Sequence, residues 1–383
     1  MTSAPQPDVA VFIPSYVGGG AERLAFFIAE ALTAAGYRVD LVVARAHGEL
    51  KEKPLSGVRK INLDAVTEIL AAPLWIGYLR RERPRMALAM VHTATLTAGI
   101  GKRLAPSVPV VVAVQNALKR AAENRWWFQR IFGFGLEKSL YARCEKMIAV
   151  SDGLARECEA VFGLPSRSVD HLYNPYLSDA APGLPEKMAI DPDHERIFSK
   201  PVILGVGRLA RQKGFSVLIG AFAEIAPTHD ANLLILGEGP ERSALEQQAA
   251  DAGLGDRVFL PGWTPTPASY MRRSRLFVLS SIFEGFGIVC VEALASGVSM
   301  VVADCPHGPR EIVDGGRFAR LAVPGDAQSL AGAIRAELDE TDQGGANGLD
   351  DERRAWLEQF SPEAAAARYR ELVRSVIGPP AAQ

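Results

Sequence analysis

A chain of 383 residues, 48% hydrophobic and 22% charged, has the composition of a globular protein rather than a disordered or fibrous one, and its length exceeds what one core ordinarily organises, so two domains are expected. No run approaches the roughly 18 to 20 uninterrupted apolar residues of a membrane span, and the opening MTSAPQPD lacks the basic and apolar regions of a signal peptide, which points to the cytosol. Net charge is −2, but 22 basic residues face 16 acidic ones over 1–175, against 20 and 28 over the rest; the positive excess gathers between Arg80 and Lys146.

In chain order, DVAVFIP (8–14) reads as a short buried strand, and Gly18, Gly19 and Gly20 turn it into an amphipathic helix starting near Ala21, a βα unit. Further strands are expected at Arg38–Ala44, Val58–Leu63, Met86–Val91, Val108–Val114 and Lys146–Val150, with helical stretches between most of them. Such alternation predicts a doubly wound parallel sheet. Pro175–Lys200 holds four prolines and mixed charges and reads as the connection between domains. The pattern restarts with strands at Pro201–Val206, Asn232–Leu236, Arg257–Leu260, Arg275–Leu279 and Val298–Val302, alternating with helices. After a polar loop around Gly344 and Gly345, Asp351–Phe360 and Pro362–Ile377 read as closing helices. The fold class is therefore α/β, two Rossmann-like doubly wound domains facing a central cleft, where a small molecule would bind. The expected boundaries are 1–175, a linker at 176–200, 201–360, and a last helix at 361–383.

The most informative stretch is SIFEGFGIVCVEALASG (281–297). It sets Glu292 inside a helix that otherwise reads as buried, where a charge costs several kcal/mol unless it is compensated. Glu284 stands on the glycine-rich turn ahead of that helix, where the amides of Phe286, Gly287 and Ile288 suit an anion. Arg208 and Lys213 in GVGRLARQKG follow the first strand of the second half; a guanidinium plus an ammonium beside a helix N-terminus fits a diphosphate. Gly18–Gly20 could also approach a phosphate, although a glycine turn of this kind is more often purely structural, and neither it nor Gly205–Gly207 completes the G-x-G-x-x-G dinucleotide fingerprint. His92, Gln115 and Asn116 follow strands of the first half, as substrate contacts or as ordinary cap and turn residues. Asp191 and Asp193 form a D-x-D run in the linker and read as a solvated turn, not a metal site. Cys144, Cys158, Cys290 and Cys305 contain no C-x-x-C pair and read as structural thiols.

Taken together these segments resemble a retaining glycosyltransferase of the GT-B architecture, family 4, over nearly the whole chain. VGGGAERLAFFIAEAL resembles the family's N-terminal glycine loop, KMIAVSDGLARE with LYNPY its domain end, and GVGRLARQKGFSVLIGAF with LLILGEGPERSALE the opening of its donor domain. FEGFGIVCVEALASG matches its E-x(7)-E signature at Glu284 and Glu292, and DCPHGPREIV is similar to a variant among bacterial members that build lipid-linked saccharides. The resemblance implies that Arg208 and Lys213 hold the donor diphosphate, Glu292 the ribose hydroxyls and Glu284 the transferred sugar. It also implies that Gly18–Gly20 close over the phosphates, that Gly262 and Trp263 hold the base through backbone groups, and that the last helix crosses back to the first domain. Many members carry a histidine or other basic residue where this chain has Gln115.

The reaction so implied moves a sugar, a hexosamine by the DCPHGPREI resemblance, from a uridine diphosphate donor to an acceptor hydroxyl with retention and without a metal or other cofactor. Front-face attack, the leaving phosphate taking the acceptor's proton, is preferred over a glycosyl-enzyme at Glu284, and the two differ in whether an adduct can be trapped. Lys119, Arg120, Arg125, Trp126, Trp127, Phe128, Arg130 and Phe132 make a cationic, aromatic segment suited to the anionic inner membrane face and a lipid-linked acceptor; a core helix with solvated charges is the plainer reading. No nucleic-acid partner is expected. A nucleotide-sugar 2-epimerase of the same fold, a nicotinamide-linked oxidoreductase and a non-catalytic nucleotide-sugar-binding protein are the alternatives. The E-x(7)-E pairing argues against the first and the incomplete fingerprint against the second. The intact set of Glu284, Glu292, Arg208 and Lys213 disfavours the third.

Overall fold

The computed structural model describes residues 6–67, 69–118, 135–176, 190–342 and 350–380. They divide into two units, Met1–Asn174 joined by Glu363–Gln383, and Pro175–Pro362.

Unit 1 is built on β1 (Val9–Ile13), β2 (Val39–Val43), β3 (Val58–Asn62), β4 (Met86–Met90), β5 (Val110–Val114), β6 (Lys146–Ala149) and β7 (Asp170–His171). All are parallel, in the order β3-β2-β1-β4-β5-β6-β7. Among the described residues the helices between them include α1 (Gly20–Ala34), α2 (Ala72–Glu82), α3 (His92–Leu104) and α4 (Asp152–Phe162). Strands β1, β4 and β5, with sequences VAVFI, MALAM and VVVAV, are buried at every position, which is what a sheet covered on both faces demands.

Unit 2 repeats the plan with β8 (Val202–Val206), β9 (Asn232–Leu236), β10 (Val258–Gly262), β11 (Leu276–Leu279), β12 (Ser299–Ala303) and β13 (Arg320–Ala322), in the order β10-β9-β8-β11-β12-β13. Its helices are α5 (Phe215–Ile225), α6 (Arg242–Asp251), α7 (Pro267–Arg273), α8 (Ile288–Ser296), α9 (Pro309–Ile312), α10 (Ala327–Asp342) and α11 (Asp351–Leu357). The short outer strands β7 and β13 are additions to the sequence-based expectation. In each unit the chain leaves its first strand in one direction across the sheet and returns on the other side. In open α/β sheets a ligand crevice lies at the strands' carboxyl ends where the strand order reverses, here between β1 and β4 and again between β8 and β11.

One boundary differs from the expected ones, and the last helix lies where it was expected. Residues 190–200 belong to unit 2 rather than to a linker: Pro192–Ser199 forms a 3-10 helix whose Ile197 is buried and accepts a hydrogen bond from Asn232 Nδ2 at 2.7 Å, while Glu195 pairs with Arg273 at 2.6 Å. Asp191 caps that turn, accepting from the Asp193 amide at 3.0 Å. The last helix, α12 (Pro362–Ile377), lends Tyr369, Leu372 and Val373 to the core of unit 1 beside Val9, Val11, Ile28 and Val39. Its end is tied by Tyr37 Oη, which donates to the Gly378 carbonyl at 3.1 Å, and by Arg85, which donates to the carbonyls of Ile377 and Pro379.

Arg85 also reaches Asp8 Oδ1 at 3.1 Å, and the other carboxylate oxygen accepts from the Arg38 amide at 2.9 Å. Burial pushes the Asp8 carboxyl up, but the Arg38 amide and the Arg85 and Arg38 guanidinium groups outweigh it and hold the group below the ordinary carboxylate value. A lowered folded-state pKa contributes stability at all pH values above the unfolded pKa of about 3.9, lost as pH falls through the folded value. Asp8→Asn is therefore expected to be less stable than wild type at pH 7, with the gap closing below about pH 4; urea titrations at pH 7 and pH 3 that show a constant gap would remove Asp8 from the acid response.

Candidate functional site

Strands β8 and β11 are hydrogen-bonded neighbours, with Leu276 opposite Ile203 and Phe277 opposite Leu204, so the loops that follow them emerge side by side at the crevice. The loop after β8 winds one 3-10 turn, Arg211–Lys213, and stops on Gly214 at φ +64°. A Cβ there would lie 2.1 Å from the Ser280 carbonyl oxygen, so only glycine lets the two loops touch backbone to backbone. The Ile282 amide donates to the Gln212 carbonyl at 2.8 Å, Gln212 Nε2 to the Phe283 carbonyl at 3.0 Å, and Ser280 Oγ to the Lys213 carbonyl at 2.8 Å.

These bonds bring two of the sequence-derived residues together. Lys213 Nζ stands 2.6 Å from Glu284 Oε1, and Ser281 Oγ donates to the same oxygen at 2.6 Å. Glu284 is 4% exposed, so its charge is held by direct partners rather than by water. Its amide donates to the Pro306 carbonyl at 3.2 Å. The 304–309 segment is pinned twice: Asp304 takes a bidentate bond from Arg310 at 2.7 and 2.5 Å, and Gly308, at φ +79°, lies where a Cβ would be 2.3 Å from the Phe286 carbonyl oxygen. The Arg310 guanidinium holds the Asp304 carboxyl below its ordinary value.

Gly287, at φ +92°, begins α8, and the amides of Gly287 and Ile288 make no hydrogen bond to another described residue. The Phe286 side chain turns into the core against Phe360, with ring centroids 5.9 Å apart. Glu292 lies one turn into α8 and is 3% exposed. Cys290 and Cys305 are buried near Glu284, and burial, with the nearby charge adding to it, pushes both thiols well above their ordinary value, so these are inert packing groups. Burial likewise pushes Cys144 up to about 12.

Arg208 is exposed and its guanidinium forms no ion pair with another described residue; it is a neighbour in sequence, not a contact, of the Lys213–Glu284 pair. Gly262 ends β10 and its carbonyl accepts from the Gly237 amide at 2.8 Å. Arg242 braces this corner through Glu238 at 2.6 Å and the Leu260 carbonyl at 2.8 Å, and Trp263 beside it is 55% exposed.

In unit 1, Gly18, Gly19 and Gly20 lead from β1 into α1, with Gly19 as its N-cap. His92 opens α3 directly after Val91, whose φ of +71° costs a β-branched residue about 1–3 kcal/mol. Gln115 and Asn116 follow β5, the first half-buried and the second exposed. Residues 119–132, expected to meet a membrane, lie outside the described residues. A surface cavity of about 820 Å³ borders β7 and α12, between Lys146, Arg156, His171 and Arg368; none of the residues chosen from the sequence lines it.

Sequence reasoning missed Ser281, Gln212, Gly214 and Gly308. Gly214 and Gly308 carried a usable signal, each standing beside a charged or proline-rich loop next to a strand; Ser281 and Gln212 act through pairings that only the juxtaposition of β8 and β11 creates. Removal of Lys213 leaves a buried carboxylate with Ser281 as its remaining side-chain donor among the described residues, so Lys213→Met is expected to cost about 3 kcal/mol. Adding Glu284→Gln should restore most of that loss, a coupling readable in a double-mutant cycle by urea unfolding; purely additive losses would mean the pair contributes nothing.

Residues 188–372 match the family model "Glycosyl transferases group 1" and residues 18–176 match "Glycosyltransferase Family 4". The lipopolysaccharide core biosynthesis glycosyltransferase LpsD of Rhizobium meliloti is 35% identical over 139 residues, 36% of this chain and 39% of that protein. The N-acetylgalactosamine-N,N'-diacetylbacillosaminyl-diphospho-undecaprenol 4-alpha-N-acetylgalactosaminyltransferase of Campylobacter jejuni is 28% identical over 202 residues, 52% of this chain and 53% of that one. The chain thus spans about two fifths to one half of the length of these relatives. Among solved structures, Anabaena Alr3699/HepE in complex with UDP and glucose superposes with a TM-score of 0.79 at 21% identity, over 96% of this chain and 100% of that one. With two parallel α/β units and two family matches that run between them from residue 18 to residue 372, the chain belongs to the family-4 type of GT-B glycosyltransferases.

Proposed function

We propose that the protein is a retaining glycosyltransferase that moves a sugar from a nucleotide diphosphate donor to an acceptor hydroxyl in the synthesis of a bacterial lipid-linked or surface glycan. The observation that carries this reading is the Lys213–Glu284–Ser281 constellation at the β8/β11 crevice, at the head of α8. A diphosphate there meets the Lys213 ammonium and the Gly287 and Ile288 amides, with Arg208 on the same loop. Glu284 is fixed as a hydrogen-bond acceptor for sugar hydroxyls, Glu292 takes the ribose hydroxyls, and Gly262 with Trp263 serves the base.

As the bond between C1 and the phosphate oxygen breaks, charge grows on the leaving diphosphate and on the sugar. Cations already held in place lower the barrier without reorganising. The acceptor oxygen attacks C1 from the face the phosphate leaves, and its proton passes to the departing phosphate oxygen, so configuration is kept. No metal is invoked, since Lys213, Arg208 and the amides supply the neutralising charge. A uridine diphosphate hexosamine is the proposed donor: the C. jejuni relative is an N-acetylgalactosaminyltransferase, and the Anabaena protein is seen in complex with UDP.

No helix among the described residues is long and apolar enough to cross a membrane. The proposed acceptor is lipid-linked and reached from the cytoplasmic face, with Lys119–Phe132 touching anionic lipid; flotation with anionic vesicles at low salt should carry the protein upward, and Trp126→Ala with Trp127→Ala should abolish it. Flotation unchanged by both substitutions removes the membrane contact. For the activity, binding and slow hydrolysis of UDP-, GDP- and ADP-sugars are measured without added metal. One donor should bind selectively, with Glu292→Ala weakening it at least about tenfold, equivalent to about 1.4 kcal/mol. If no donor binds, or the substitution changes nothing, the assignment of the site fails.

A further inference from the structure

Strand β7 is the last of its sheet, so the outer side of Asp170 and His171 faces no further strand among the described residues. The steps from β1 to β2 and from β6 to β7 run in opposite directions across the sheet, and right-handed crossovers therefore put α1 and α4 on opposite faces. Helix α12 packs with Leu24 and Ile28 of α1 in one core. The open edge thus has α4 on one face and α12 on the other, and the cavity of about 820 Å³ lies between them along β7, a volume of the size that small ligands occupy.

Ile148, Val169 and Leu372 give the cavity an apolar floor, and Lys146 from β6, Arg156 from α4, Arg167 from the turn before β7 and Arg368 from α12 stand around it. The carboxylates of the lining are Asp152, Asp170 and Glu371, so positive charge is in excess even with His171 neutral. It is also loosely matched. Lys146 Nζ stands 3.5 Å from Asp170, Arg156 Nε 3.4 Å from Asp152 and His171 Nδ1 3.6 Å from the same Asp152 oxygen, all beyond the roughly 2.7–2.9 Å of a charge-assisted hydrogen bond. Arg156 is held tightly on its other side, where Nη1 lies 2.6 Å from Glu159.

The guanidinium of Arg167 is exposed and forms no ion pair or hydrogen bond with another described residue. Its backbone is left-handed, at φ +60°, a conformation that an arginine keeps only where its surroundings impose it. The turn is fixed on both sides: Glu159 Oε1 accepts from the Val169 amide at 3.0 Å, Arg156 Nη2 donates to the Val169 carbonyl at 3.3 Å, and Ser168 Oγ donates to the Pro165 carbonyl at 2.6 Å. Arg368 is half-buried, its guanidinium carbon 5.9 Å from the centre of the Tyr173 ring, and burial holds it below its ordinary value, so an anion beside it offsets lost hydration. Cations brought by separate elements around an apolar floor suit a phosphate, whose oxygens accept in several directions at once, carried by a small organic body.

We propose that this cavity binds a phosphate-bearing small molecule, with Arg167 and Arg368 donating to the phosphate oxygens and the organic body lying on Ile148 and Leu372. All of these residues belong to unit 1, and the site stands independently of the transferase reading. Glucose 6-phosphate and glycerol 3-phosphate are titrated calorimetrically into the full chain with UDP in excess, so that the β8/β11 crevice does not report, with glucose and glycerol as uncharged controls. A parallel arm floats the protein with phosphatidylcholine vesicles that contain phosphatidic acid, the same group presented by a lipid. Wild type should bind at least one phosphate and neither control. Arg167→Gln should weaken it at least about tenfold, as for the loss of a hydrogen bond to a charged group, and adding Arg368→Gln should weaken it further. The UDP affinity should stay within error, and Arg103→Gln, an exposed charge elsewhere on unit 1, should change nothing.

Arg368→Lys, which keeps the charge, should lose less than Arg368→Gln and decides the point where the glutamine variant folds poorly. Flotation that depends on Arg167, without binding of either soluble phosphate, assigns the cavity to a lipid headgroup. No binding of the soluble phosphates together with flotation that is absent or ignores Arg167 overturns the site. So does an Arg167→Gln, Arg368→Gln variant that binds as wild type does, or an Arg103→Gln variant that loses as much as Arg167→Gln. Phosphate binding here by a protein that takes no nucleotide sugar would overturn the transferase reading alone.

Discussion

Much of this molecule follows from one constraint: in each sheet the chain must change direction once, and the strands on either side of that change are hydrogen-bonded to each other. At β8 and β11 the pairing of Leu276 with Ile203 and of Phe277 with Leu204 forces two loops from distant parts of the sequence to leave the sheet side by side. Ordinary loops would splay there. Gly214 instead allows contact of backbone on backbone, and the hydrogen bonds of Gln212 and Ser280 close the remaining gap. The Lys213–Glu284 pair is the electrostatic result. Its burial raises the desolvation cost of both charges, which is why the second donor, Ser281, matters to the carboxylate.

The sequence was informative where the physics is local. Continuous apolar runs located β1, β4, β5, β8 and β9, because strands covered on both faces have no polar alternation to disguise them. The exception at the periphery is instructive: β7 is two residues long and β13 three, too short to carry a periodic signal. Glu284 and Glu292 stood out because a carboxylate in an apolar stretch is expensive, and both are buried in the folded chain. Lys213 was picked out as a cation, but its partner was not legible, since Glu284 lies 71 residues away and only the strand order brings them together. The linker was misjudged at its second half for the reverse reason: a proline and mixed charges over 190–200 suggested a solvated connector, whereas Ile197 and Glu195 find partners on β9 and α7 that no local window contains.

Unit 1 applies the same plan to a different chemistry. Its rim after β4 and β5 carries a histidine, an amide and buried carboxylates rather than a lysine and a glycine-headed helix. Neutral hydrogen-bonding groups discriminate among hydroxyls by geometry, while cations respond to charge wherever it is delivered. The two sheets thus differ in chemistry by a few residues past the strand ends, the positions where substitution leaves the ladder intact.

The path of the chain also sets an order of events. Unit 2 is contained between Asn174 and Glu363, so it is in effect inserted into unit 1. Tyr369, Leu372 and Val373 complete a core begun by Val9 and Val11, and Tyr37 waits 341 positions for the Gly378 carbonyl it binds. During synthesis the first unit therefore stays unfinished, with apolar surface uncovered, until α12 has been made, whereas the second can fold as soon as its own residues emerge. The N-terminal half is accordingly the part exposed longest to aggregation and to chaperones, and a chain cut short at its final helix is a folding defect of the first unit, not of the second.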